Sequence, residues 1–441
     1  MKNLEIKNAW ITQVSGKKIN PVFGDLIIEN NRISEIRKKR FPDDLGREAS
    51  KDKQARNLAG RVVTSPLVNF HDHIYSRLAK GLSTRGPQDN FVHILENLWW
   101  KLDLALDPDM VRASAQMAAL ESIRNGVTYI FDHHASPRHT SGSLQTIADV
   151  LQEYGLRGSL CFETSDRNGK ELAHQALREN ENLLKNQSED IKGMLGLHAL
   201  FTLEDSTLQE ATKILKNHDT GIHVHLAEDK HDPEFSQQKY HIRLAQRLKK
   251  FDLLNRKSIL VHGVHLTGTD YEIIRQSGAA IAYNPDSNLN NAVDLPMYAG
   301  VPTEIPILVG TDGMHANIRR SLKQIFLLYR HQQNDFGAAF QFLQKIHFDQ
   351  LEFVRKYFPD YPMLQPGDRA DLIIWDYIPP APFGADNYWG HYLYGMLERP
   401  IHSVMQHGKF LMENFQINRA DLEQTWIQIY EQGVRLFKEL K

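Results

Sequence analysis

The 441-residue chain carries 52 Lys and Arg against 54 Asp and Glu, a formal charge of −2, with 41% hydrophobic and 24% charged residues. That balance fits a folded globular protein; it excludes a disordered chain and a nucleic-acid binder working through bulk positive charge. The single cysteine, Cys161, excludes an internal disulfide and Cys-rich zinc sites; no run of 18 apolar residues offers a membrane span, and no apolar leader core opens the chain, so a reducing cytoplasm is the expected home.

The first 65 residues read as short strands: "NLEIKNAWITQ", "GDLIIENNRISEI" with a turn at Asn30-Asn31, and "RNLAGRVVTS". The densest basic cluster, Arg37–Arg40, reads as a solvated strand end. From Pro66 onward, apolar runs at 66–70, 126–131, 157–162, 192–197, 221–226, 258–263, 279–284 and 306–311 alternate with helical patterns. Among these patterns are "DPDMVRASAQMAALESIRNG", opened by Asp-Pro and stopped by Gly126, then "SLQTIADVLQEYG", "STLQEATKILKNH" and "KYHIRLAQRLKKFDLL". Eight strands with helical crossovers predict an α/β fold, a (β/α)8 TIM-like barrel over 66–366. Near the other end, "ADLIIWD" (370–376) echoes "GDLII" (24–28), and "IHSVMQHGKFL" continues as strand and turn. Pairing of the two ends predicts a small discontinuous β-sandwich domain from 1–65 and 367–418. Residues 419–441 predict a packing helix, with Leu422, Trp426, Ile429, Tyr430, Phe437 and Leu440 on one stripe.

A barrel of this kind gathers its site where the strands end. The first strand ends in His71-Asp72-His73, and i, i+2 spacing points both imidazoles to one face. The second ends in Asp132-His133-His134, the fourth in His198, the sixth in His262 and the eighth in Asp312; the fifth carries His225, with Glu228 three residues on. Zinc and similar divalent ions take imidazole nitrogen and carboxylate oxygen, and a catalytic site leaves a position for water. Three histidines and one aspartate would hold such an ion, and a nearby carboxylate that does not ligate, such as Glu228, can move protons. Trp99-Trp100 occupy adjacent helical positions, so at most one, taken as Trp99, would line an aromatic-substrate pocket while the other packs in the core.

The stretches "VNFHDH", "DHHAS", "GLHALFTL", "HVHLAE", "LVHGVHL", "NPDSNLN", "VGTDGM" and "GDRADLIIWD", in this order, resemble the amidohydrolase superfamily. The branch is that of atrazine chlorohydrolase, guanine deaminase and methylthioadenosine deaminase, and within it the SsnA-type aminohydrolases. The resemblance implies the barrel with a discontinuous small β domain. It implies one divalent ion, zinc with iron or manganese as alternatives, on His71, His73, His225 and Asp312. Glu228 would be the proton shuttle, His262 would act with Asp312 on the water, Asn288 would support the site from behind, and His198 would face the substrate. His133 and His134 would either wall the pocket or make structural hydrogen bonds. The implied reaction is deamination of an aminated N-heterocycle (a purine, pyrimidine, pterin or triazine) by hydroxide formed at the ion; hydrolysis of another C–N or a C–Cl bond is the alternative. A small molecule is the expected partner, with no nucleic acid and no membrane, and a homodimer the expected assembly.

Two loops depart from the family pattern. Met314-His315-Ala316-Asn317 follows "GTDG", and "LNNAVDLP" follows "SN". Both lie on the substrate side, so the relatives' substrates do not carry over. Other metal classes fit less well. A two-metal site needs a lysine at the end of the fourth strand, where His198 stands, with Lys192 only at its start. One cysteine cannot supply a Pro-Cys-x-x-Cys deaminase site, and the absence of a His-Glu dipeptide excludes a His-Glu-x-x-His protease. A scaffold without catalysis would be expected to have lost ligands, and here every ligand position is filled.

Overall fold

A computed structural model describes residues 4–41, 55–83 and 85–441. Its core is eight strands: β1 (Leu67–Asp72), β2 (Val127–His134), β3 (Arg157–Phe162), β4 (Ile191–Gly193 and Leu195–Ala199), β5 (Ile222–Leu226), β6 (Ile259–His262), β7 (Ala280–Tyr283) and β8 (Ile307–Val309). β1, β2, β3 and the first half of β4 form one sheet, and the second half of β4 runs through β5, β6 and β7 to β8 in another. Parallel bridges Thr164–Leu197 and Asp72–Asp312 join the two sheets at both seams, closing the TIM-type barrel. Nearly every strand residue is buried, which explains why these runs read as continuously apolar rather than alternating.

The crossovers include helices Pro108–Arg124, Ser143–Glu153, Lys170–Lys185, Asp205–Asn217, Gly268–Ser277, Ile318–Gln332 and Phe336–Val354. Helix Ser143–Glu153 shows the rule they follow: Leu144, Ile147, Ala148 and Leu151 are buried at helical spacing. "KYHIRLAQRLKKFDLL" is not one helix. His231–Tyr240 stops at His241, a left-handed cap with φ 54°, and Leu244–Lys250 starts a new helix beyond it. The final helix, Leu422–Glu439, buries Thr425, Ile429 and Leu436, while Tyr430 is 74% exposed. Its buried face is therefore narrower than the apolar stripe; Arg435 pairs with Asp107 beside it.

The described residues fall into two compact units. One comprises Asn69–Ala119, Tyr129–Tyr357 and Asp421–Lys441, and holds the strand ends that concern function. The other comprises the described residues of Met1–Val68, with Leu120–Thr128 and Phe358–Ala420. It contains a nine-stranded sheet in which the two ends of the chain meet: Val63 and Thr64 pair antiparallel with Ile374 and Ile373. Asn30 and Asn31, at φ 52° and 64°, make the two-residue turn between strands Lys18–Glu29 and Arg32–Lys38. Arg37 is exposed and pairs with Glu35, as a solvated strand end should. Ile6, Ile11, Leu26, Ile33, Leu372 and Ile374 form the core of this unit. Among the described residues no helix is long and apolar enough to cross a membrane.

Candidate active site

The ends of β1, β5, β6 and β8 bring His71, His73, His225, His262 and Asp312 together. Asp312 Oδ1 lies 3.0 Å from His73 Nε2 and 3.3 Å from His71 Nε2, and His225 Nε2 lies 3.2 Å from His73 Nε2. Four donors at zinc-ligand distances from a tetrahedral centre stand about 3.3 Å apart, so the spacing fits an ion. His262 and Asp312 hold left-handed backbone, φ 73° and 54°, as does Ala227 at φ 53°, just before Glu228. Three non-glycine residues in that region at one barrel mouth mark strain held in place by the surrounding fold. Gly310 permits the crowding: a Cβ there would lie 2.7 Å from His71 Cβ and 2.4 Å from Asn284 Oδ1.

The hydrogen bonds behind the rings decide which nitrogen faces the centre. His73 Nδ1 donates to the His133 carbonyl at 2.6 Å, and His225 Nδ1 to the His198 carbonyl at 3.1 Å. A carbonyl only accepts, so each Nδ1 carries a proton and each ring turns its Nε2 inward. His71 Nδ1 meets His223 Nε2 at 3.0 Å, which leaves the buried His71 Nε2 facing Asp312. All three rings are thus set as ligands are set. His262 differs, although its ring is as close: His71, His225, His262 and Asp312 each offer a donor atom within 4.8 Å of the others. The Asn288 amide donates to His262 Nδ1 at 3.0 Å, so the neutral ring carries its proton on Nε2. That nitrogen lies 3.3 Å from Glu228 Oε2 and 3.8 Å from Asp312 Oδ2.

Burial pushes the Asp312 carboxyl up, but hydrogen bonds from His71 and His73 outweigh it and hold the group well below the carboxylate range. Burial likewise opposes charge on His73, and the same bond to Asp312 carries that ring up to about 10. Burial and neighbouring rings hold His225 well below the usual histidine range. The carboxylate therefore keeps one positive charge beside it, a proton here, where a cation fits the same donors. Glu228 moves the other way: burial first, then the Asp312 charge, push its carboxyl well above the usual range.

These groups floor a cavity. His73, His225, Glu228 and Asp312 line it, with His198, Trp99, Trp100, Tyr75, Phe201, Glu163 and Asp103 among the wall. Both tryptophans line it, not one, because Leu95–Trp99 is a π-helical turn whose wider winding brings adjacent side chains toward one face. Trp99 packs on Gly313, where a Cβ would stand 2.4 Å from Cη2 of the indole. His198 gives Nε2 to Glu163 Oε1 at 2.9 Å. His133 and His134 are buried behind the cavity: His133 Nε2 is 3.1 Å from the Leu197 and His223 carbonyls, and His134 Nε2 is 2.8 Å from Ser136 Oγ. Neither is among the residues that line the cavity. The Lys192 amine bonds the Ser188 carbonyl at an exposed position, away from the donors.

His223, Glu163, Asp103 and Arg167 are not among the residues expected from the sequence. His223 repeats on β5 the His-x-His spacing of β1, and Glu163 follows β3 as the other strand-end residues follow theirs. Those two were within reach of the same rule. Asp103 and Arg167 pair at 2.6 Å across 64 residues of chain, and no pattern announces that.

The amidohydrolase family model matches residues 62–417, and the chain belongs to that family. It is similar to the 5-methylthioadenosine/S-adenosylhomocysteine deaminase of Thermococcus kodakarensis, 29% identical over 318 residues, covering 71% of this chain and 70% of that protein. Among solved structures, an adenosine deaminase from Xanthomonas campestris with bound zinc superposes with a TM-score of 0.79 at 18% identity, covering 98% of each chain. Atrazine chlorohydrolase from Arthrobacter aurescens TC1, complexed with zinc, gives 0.78 at 18% identity over 98% of this chain and 100% of that one.

Proposed function

We propose that the chain is a metal-dependent aminohydrolase that removes ammonia from an aminated N-heterocycle. The observation that carries this reading is the set of three histidines, each with Nδ1 tied from behind and Nε2 turned inward beside Asp312, beneath a cavity that Glu228 also lines, its carboxyl pushed above the usual range by burial. His71, His73, His225 and Asp312 would hold one divalent ion, with zinc first and iron or manganese as alternatives. The zinc in two structural neighbours and the deaminase names of the relatives support this. A bound divalent ion would lower the pKa of water and supply the nucleophile near neutral pH.

The chain's own residues do the rest. Aromatic side chains of the wall stack a flat ring. Glu228 hands its proton to a ring nitrogen, which makes the adjacent carbon more electrophilic. The emptied carboxylate then takes a proton from the nucleophile and returns it to the departing amine. His262 presents its Nε2 proton between Glu228 and Asp312 and orients the attacking oxygen. One carboxylate serves both transfers when ring nitrogen and amine are neighbours, as in –N=C–NH₂. A Glu228 carboxyl pushed up by burial favours a leaving group that needs a proton over chloride, which needs none.

The test is ammonia release by the metal-reconstituted protein from a panel of aminated purines, pyrimidines, pterins, triazines and adenosine derivatives. Elemental analysis should return about one ion per chain. Turnover of a substrate without ammonia or an amine would overturn the reaction, and two tightly bound ions would overturn the single-ion site.

A further inference from the structure

Resting on that reading, we propose that the cavity takes a flat, uncharged or cationic aminated heterocycle whose substituents donate hydrogen bonds, and rejects one that carries phosphate or carboxylate. Among the described residues, those that line the cavity include six carboxyl groups (Asp103, Glu163, Glu228, Asp229, Asp232 and Asp312) and no Lys or Arg. A divalent ion at the floor would exceed the single charge of Asp312 by one, so the refusal of an anion rests on the wall and not on the floor. The wall is left with Asp103, Glu163 and Asp229 against the guanidinium of Arg167, and that guanidinium is spent. It donates to Asp103 Oδ2 at 2.6 Å and to Glu163 Oε1 at 3.1 Å, and stacks over the Trp100 ring at 5.5 Å. An anionic substituent lying along the wall meets carboxylates with no Lys or Arg among the described lining residues to answer it, and like charges brought together out of water repel strongly.

The wall also says what it offers a ligand. Asp103 is 2% exposed and its carboxyl is engaged by Arg167 and by the Tyr75 hydroxyl. The Trp100 Nε1 donor is buried without a partner, and since buried polar groups are normally satisfied it marks a position where an acceptor nitrogen of the heterocycle can bind. Asp229 is half-buried at the same cavity and offers a further acceptor.

Matched pairs test this with the metal-loaded full chain: adenosine against its 5′-monophosphate, guanosine against its 5′-monophosphate, and pterin against pterin-6-carboxylate. Binding is read by quenching of tryptophan fluorescence and reaction by ammonia release, as separate measurements. In every pair that binds, the neutral member should bind at least about tenfold more tightly. An anionic member that binds as well as its partner, or a cavity that binds no neutral member, overturns the inference. The expected binding order without ammonia sinks the reaction and keeps this inference; equal ammonia release from an anionic member does the reverse. Asp103→Asn should narrow the discrimination, and if Arg167 without its partner prevents folding, Asp229→Asn should narrow it instead. Unchanged discrimination in a folded variant of each removes the carboxylates as its cause.

Discussion

The floor and the wall of one cavity are built by different rules. The floor stands on strand ends: His71, His73, His225, His262 and Asp312 belong to or follow β1, β5, β6 and β8, and backbone carbonyls or buried side chains fix most of their rings from behind. The wall stands on the connections. Trp99 and Trp100 come from a π-turn and the helix after it, Phe201 from a short turn after β4, and Arg167 from a loop beyond β3. A barrel places strand ends to within fractions of an ångström, and loops vary freely around them. On the proposed function, the floor would carry the chemistry and the wall would choose what reaches it.

That division is broken most sharply by Glu228→Gln. The amide keeps the shape of the side chain but cannot accept a proton at neutral pH. Turnover should fall by about 10²–10⁴-fold while metal content stays at wild-type level. Near-native turnover in the metal-loaded variant would remove Glu228 from the mechanism.

The next largest effect belongs to a residue behind the floor. His223 Nε2 meets His71 Nδ1 at 3.0 Å, and its own side chain is fully buried. His223→Phe should weaken metal binding about 10–100-fold in a chelator competition, the usual cost of losing a partner behind a ligating histidine. His223→Gln, whose amide oxygen can accept from His71, should recover part of it. Equal affinity in all three proteins would mean that His71 needs no support from β5.

A wall change should leave the metal alone. Gly313→Ala puts a methyl 2.4 Å from Trp99 Cη2, too close to stand, so the indole must shift. KM should rise by up to about tenfold with metal affinity unchanged, since the variant disturbs packing around the substrate rather than a ligand. Loss of the ion in this variant would show that floor and wall are one mechanical unit.

The same division explains what could be read from the sequence. All eight barrel strands were legible because buried parallel strands read as apolar runs, and the ends of those runs pointed to the floor. His262 and Asp312 were visible as residue types at strand ends; their left-handed backbone was not, because φ depends on the loops that follow. The break at His241 was missed because nothing in "KYHIRLAQ" interrupts an amphipathic pattern, and a single left-handed residue suffices to end a helix. The wall stayed illegible for a more general reason. Its Asp103–Arg167 and Glu163–His198 pairs join residues dozens of positions apart, and the π-turn that carries Trp99 has the composition of an ordinary helix.

The smallest effect on catalysis is expected beside the floor, at Asp132 near the end of β2. Its carboxyl is fully buried, accepts from the Ile74 N–H at 2.8 Å, and is pushed up to about 7 by burial and the nearby charge of Asp72. It shares with Glu228 a raised pKa but does not line the cavity. The sign follows from linkage. The folded state binds this proton more tightly than the unfolded chain, so the stability it contributes is present below the ordinary aspartate value and is lost as pH rises through about 7. Asp132→Asn keeps an oxygen for Ile74 and stays neutral at every pH. In metal-free protein its melting temperature should exceed that of wild type by a margin that grows from pH 5 to pH 7 and then levels off, reaching about 2 °C or more. A margin independent of pH would mean that the proton is not held there. Ammonia release within about twofold of wild type is the second expectation, since surroundings alone can raise a carboxyl's pKa without giving it a role in the reaction. A large loss of turnover without loss of metal would extend the catalytic floor to the second strand.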